Sequence, residues 1–253
     1  MRLKAIICQV FTREMEDIIA RSKHSIDLEI IPMGLHSRGA EMHTHLQERI
    51  EVADDAGYDA ILLGYALCGR GTEGLQAGKT PLVLPRAHDC IGVLMGGHST
   101  FSAYFQQHPA TYFRTPGWVE FQSGTDLEPP FAEKRSRLSE RSTLQEMVAM
   151  YGEEDGKFLF EQFNAFSKHY KGLTYISLPV ASDAASRSRA RAEAAKEGWK
   201  FEEVKGSLSI LERLVNGDWN GGDVLLVPPG AVIRAKPGDA ILDTNIDTNI
   251  DTE

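Results

Sequence analysis

Cysteine is scarce in this chain: three residues in 253, at positions 8, 68 and 90. So small and odd a count argues against a disulfide framework, and a reducing compartment would keep all three as free thiols. No apolar run approaches the ~20 residues that a membrane span needs. Basic charge is in deficit: 27 Lys and Arg against 36 Asp and Glu leave a formal net charge of −9. That balance argues against nucleic acid or an anionic membrane as the main partner. The opening "MRLKAIICQVF" reads as a strand almost from its first residue, and its apolar run is too short for the core of a signal peptide. The expected location is cytoplasmic.

What is present is the pattern of a folded α/β chain. Apolar content of 42% and charged content of 25% are ordinary for a globular protein. "LKAIICQVF" (3–11), "IDLEIIPM" (26–33), "DAILLGY" (59–65) and "TPLVLPR" (80–86) read as strands. Between them, "REMEDIIARSK" (13–23), which Thr12 can cap, and a long segment ending near Gly57 read as helices. An aromatic stretch (108–121) and two helices (139–151 and 153–169) come next. The aromatics of the stretch, Trp118 among them, can wall a pocket or pack in the core. The alternation then resumes with strands at 173–180, 199–206 and 222–230. Such alternation predicts a mostly parallel, Rossmann-like sheet of βαβ units. Two lobes are expected, 1–125 and 137–253, joined by 126–136, with a polar repeat tail at 243–253 that reads as a disordered end or extended arm.

The three cysteines share a place in that pattern. Cys8 ends the first strand, Cys68 lies five residues after Leu63, and Cys90 lies six after Leu84. All three therefore sit at carboxyl ends of strands, the edge along which open α/β sheets bind ligands. In the strand order 2-1-3-4-5, strands one, three and four are adjacent, so the outer two lie about 10 Å apart. Loops of this length can close such a gap. Three thiolates leave one coordination position vacant, either on zinc or on the open iron of a 4Fe–4S cluster. The expected centre is the cluster, its iron acting as a Lewis acid on a small anionic substrate in a lyase or transferase reaction. Zinc is the alternative metal.

Other residues fall near this edge. His88 or Asp89 would move protons, and Arg86 and Arg114 would bind anionic groups. "MGGHST" places Gly97 and Ser99 at a helix start, where backbone N–H groups can hold a carboxylate or phosphate. The spacing Gly69, Gly71, Gly74 follows the third strand rather than the first, so a dinucleotide fingerprint is the weaker reading. A Cys90/His88 hydrolase is a further alternative.

"LLGYALCGRGTEGL", "LPRAHDCIGVLMGG" and "TYFRTPGW" resemble the signature blocks of the domain-of-unknown-function sixteen thirty-eight family. The matching positions are Cys8; Tyr65, Cys68 and Gly69; Pro85, Arg86, His88, Asp89 and Cys90; and Gly117 and Trp118. The likeness spans about residues 1 to 230. It places Tyr65 among the substrate-binding candidates. It also implies a setting beside corrinoid-dependent methyl transfer, where the chain would act as an enzyme or as a metal- or corrinoid-carrying accessory to methyltransferase proteins. Three cysteines on α/β loops are also similar in arrangement to quinolinate synthase, by architectural analogy.

Overall fold

The computed structural model describes residues 1–35, 39–121, 169–180 and 182–245, with a few positions between 144 and 157. The expected linker at 126–136 and most of the two helices at 139–151 and 153–169 lie outside the described residues. In chain order come β1 (Arg2–Cys8), α1 (Thr12–Ala20), β2 (Ser25–Ile31), α2 (Gly39–Asp54), β3 (Ala60–Gly64), β4 (Leu82–Pro85), α3 (Cys90–Leu94) and α4 (His98–Gln107). After them stand β5 (Thr111–Arg114), α5 (Pro116–Phe121), β6 (Gly172–Ser177), α6 (Ala184–Glu197), β7 (Lys200–Lys205), α7 (Ser209–Asn216), β8 (Val224–Val227), β9 (Ile233–Ala235) and β10 (Leu242–Thr244).

The main sheet has the order β2-β1-β3-β4-β8. Its first four strands are parallel and β8 is antiparallel to β4. Alternation along β1 divides its side chains between two cores. Leu3, Ala5 and Ile7 pack with α1, α3 and α7 on one face. Ile6 packs with α2 on the other, where Met42, Leu46, Ile50 and Ala53 form one stripe. β1 and β3 approach closely because Gly64 has no side chain; a Cβ there would press on Ile7.

A second sheet, β5-β6-β7, is wholly parallel. Strand membership crosses the sequence division at 126–136: β5 joins β6 and β7, while β8 returns to the first sheet. Helix α5, at the carboxyl end of β5, meets the short 3-10 turn Gln9–Phe11 at the carboxyl end of β1. The carboxyl edges of the two sheets therefore face a common seam. Gly117 makes that contact possible, because a Cβ there would be driven into the carbonyl oxygen of Val10.

Two local expectations change. The 3-10 turn displaces the helix start, so Thr12 donates its hydroxyl to the Gln9 carbonyl (2.8 Å) instead of capping α1. The tail begins inside the fold: Leu242–Thr244 pairs antiparallel with β9, and residues 246–253 alone of the tail lie outside the described residues.

Candidate metal centre

Each cysteine is positioned by a different device. Cys8 closes β1, and its thiol is pushed up to about 11 by burial, against a backbone hydrogen bond at Val10. Cys68 lies in a left-handed turn: Cys68, Gly69 and Arg70 have φ of 45°, 62° and 68°. Only the glycine adopts that region freely, and each of the other two costs on the order of 1–3 kcal/mol. The turn persists because neighbouring chain holds it. The Cys68 N–H donates to the His88 carbonyl at 2.8 Å, and Leu67 N–H to Ala87 at 3.0 Å. The buried Thr72 hydroxyl donates to the Ala66 carbonyl at 3.0 Å and closes the loop. Cys90 opens α3, whose N-cap is Asp89; the Asp89 carboxylate accepts the Gly92 N–H at 2.9 Å.

The loops after β3 and β4 are thus laced together, and Cys8 ends the strand beside β3. Cys8 and Cys68 sit where the two faces of the core meet, and Cys90 packs on the α1 face. The three sulfurs influence one another. Burial raises the Cys68 thiol most, with Cys8 adding to the effect. Burial likewise leads for Cys90, followed by Asp89 and Cys68, with Cys8 also contributing. All three are half-buried free thiols. Among the described residues, no group of three or more His, Cys, Asp or Glu side chains stands in metal-ligating geometry.

The donor set nevertheless fits a thiophilic centre in kind. The three side chains are soft donors near enough to influence one another, and Tyr65, 3% exposed, carries a hydroxyl with no hydrogen-bond partner near Cys8 and Cys68. Burial raises that phenol well above its ordinary value, and Cys8 and Cys68 are the next causes. A buried hydroxyl without a partner costs about 1–3 kcal/mol. Tyr65→Phe is therefore expected to stabilise the metal-free protein by about 1 kcal/mol in urea unfolding. A loss of stability would show that the hydroxyl has a partner within the chain.

The remaining candidates divide. The His88 side chain is exposed and meets His98 edge-on, ring centroids 5.2 Å apart. The Asp89 carboxylate serves as a cap, and its charge holds neighbouring thiols protonated; proton transfer is not the role its contacts describe. Arg114 is 3% exposed and held in a two-point pair with Glu193 (2.9 and 2.6 Å) over the Tyr112 ring. That guanidinium is occupied structurally, not turned toward a substrate. Arg86 lines a hollow of about 440 Å³ with Trp219, Gly221, Gly222 and Val224, beside the edge strand β8. None of the three thiols lines it. The Arg86 Nε is buried without a partner. Ser99 is exposed, and Gly97 is the N-cap of α4. That helix start faces acids: Asp239 lies 3.3 Å from His98, and Asp223 lies beside Gly97. The acids oppose the anion pocket expected there.

Sequence reasoning misses the role of two residues. Trp118, which reads there as a pocket wall or core aromatic, donates its indole N–H to the Cys90 sulfur at 3.2 Å. Glu14 is fully buried with neither carboxyl oxygen partnered. Its signal is present in the sequence, since Glu14 lies on the Met15 and Ile18 face of α1.

A family model described as Protein of unknown function (DUF1638) matches residues 30–215. The chain belongs to this family. The match takes in Tyr65, Cys68, Cys90 and Trp118 but begins after Cys8, a shorter span than the sequence blocks suggested. The family's description carries no activity. No curated protein and no solved structure gives a significant match. Among the described residues, no helix is long and apolar enough to cross a membrane.

Proposed function

We propose that this DUF1638 protein binds a metal centre through Cys8, Cys68 and Cys90, and that the centre activates a small anionic substrate. One observation supports the reading: the three thiols follow the carboxyl ends of three adjacent strands of one sheet, β1, β3 and β4, close enough to influence one another, and one of them lies in a strained turn. A 4Fe–4S cluster is the first choice, and a three-thiolate zinc site in methyl transfer is the alternative. When bound, such a centre supplies Lewis-acid chemistry at its vacant position.

The chain's own groups would act around it. The three thiols are raised by burial, so each must release a proton on ligation, and uptake strengthens as pH rises. The Tyr65 hydroxyl would hydrogen-bond a group at the centre. Exposed His88, whose carbonyl fixes the Cys68 turn, would exchange protons at the mouth. The Cys90/His88 hydrolase has less support. Burial and Asp89 both hold the Cys90 thiol protonated, and its sulfur faces the Trp118 indole. An accessory protein carrying a metal or corrinoid to a methyltransferase would use the same three ligands but turn nothing over alone.

Anaerobic purification with metal and sulfide analysis tests the proposal. The wild type is expected to be brown, with iron and acid-labile sulfide. Cys68→Ser is expected to lose at least ~90% of both, because two thiolates hold a cluster poorly. Colourless protein with about one zinc selects the alternative. Wild type that takes up neither zinc nor a reconstituted cluster removes the metal reading.

A further inference from the structure

We infer that Trp118 is a positioning residue for Cys90: its indole N–H, delivered by the second sheet, holds the sulfur in the orientation that the metal centre requires. The inference rests on the metal-centre reading and adds to it that elements beside both sheets build the site.

The geometry is specific. The Trp118 Nε1 lies 3.2 Å from the Cys90 sulfur, across 28 positions of sequence. An indole N–H can only donate, so the sulfur is the acceptor, and a thiolate accepts more strongly than a thiol. Both backbones are fixed before the side chains meet. On one side, Cys90 follows the Asp89 cap in the first turn of α3. Rotation about its Cα–Cβ bond is the freedom left to it, and a donor at one rotamer selects that rotamer.

On the other side, the Trp118 backbone N–H donates to the Thr115 hydroxyl at 3.3 Å, and Thr115 is fully buried. Gly117, immediately before it, lies against the Val10 carbonyl two residues beyond Cys8. The indole is therefore aimed by the same contact that joins the two sheets. Groups that hydrogen-bond metal ligands orient them and tune the metal, and their removal typically weakens binding by about 10- to 100-fold.

The test replaces Trp118 with benzothienylalanine, which keeps the bicyclic shape and puts sulfur in place of the N–H; Trp118→Phe accompanies it. Zinc alone is the probe, titrated against a chromophoric chelator. The benzothienyl protein is expected to bind zinc about tenfold or more weakly than wild type, with an unchanged urea midpoint. Affinity within about twofold of wild type overturns the inference. A second measurement needs no metal: in the metal-free protein, the Trp118 indole proton resonance is expected to move on Cys90→Ala. A resonance that stays in place overturns the inference. If wild type binds neither zinc nor a cluster, the metal reading falls, and the indole resonance alone decides whether Trp118 holds Cys90.

Discussion

Glu14→Gln is expected to leave stability unchanged near pH 4 and to raise it by on the order of 3 kcal/mol above pH 7. The cause is burial. The side chain is wholly inside, and neither carboxyl oxygen has a partner. Burial raises its pKa from 4.5 to about 7. The nearby backbone amide of Glu14 and, after it, Arg13 work against that rise, and Glu120 works with it. Arg13 is itself paired with Glu120 at 2.5 Å, and that pair offers Glu14 little net help.

The direction of the shift sets the sign. Below pH ~4.5 the carboxyl is protonated in both folded and unfolded chains and costs nothing extra. Between ~4.5 and ~7 the unfolded chain ionises first, so stability falls as pH rises. Above ~7 the folded chain carries a buried charge and the cost is complete. Gln has no charge to bury at any pH. Urea unfolding of both proteins from pH 4 to 8.5 reads the difference directly. Curves that run parallel across that range would show that Glu14 has a partner in solution.

Gly117→Ala is expected to cost on the order of 3 kcal/mol, the upper part of the range for overpacking. Alanine is otherwise the better helix former, by about 1 kcal/mol, so a loss here would isolate the clash. The added methyl meets the Val10 carbonyl oxygen, a backbone atom that no rotamer change can move. Either α5 or the Gln9–Phe11 turn must shift. Because Trp118 is the next residue, the shift should also withdraw the indole from Cys90. Two readings are expected together: a lower urea midpoint, and faster alkylation of Cys90 in the folded protein. A variant with wild-type stability and wild-type Cys90 protection would show that the two sheets do not meet through α5.

Local pattern made much of the fold legible. Apolar runs marked β1, β3 and β4, and helical spacing marked Met42, Leu46 and Ile50 as core. Both signals come from neighbours in sequence, where periodicity and burial are directly linked. The cysteines were legible as strand-end residues for the same reason. Roles that depend on contacts between segments were not. Arg114 carries no mark in sequence of its pairing with Glu193, 79 residues away, nor does Trp118 show that it reaches Cys90. A charged or aromatic side chain reads alike at a substrate pocket and at a structural contact.

By itself the sequence determined that this is an α/β protein of the DUF1638 family, with three thiols at strand ends and no excess of basic charge. Alternation, turn residues and composition are properties of the chain before it folds. Tertiary structure alone decided that β5 leaves the first sheet for the second and β8 returns to it. It also decided that the carboxyl edges of both sheets share one seam, with a tryptophan from the helix after β5 of the second sheet meeting a cysteine from the helix after β4 of the first. Those outcomes depend on which surfaces pack together across long stretches of chain, and no local pattern records that choice.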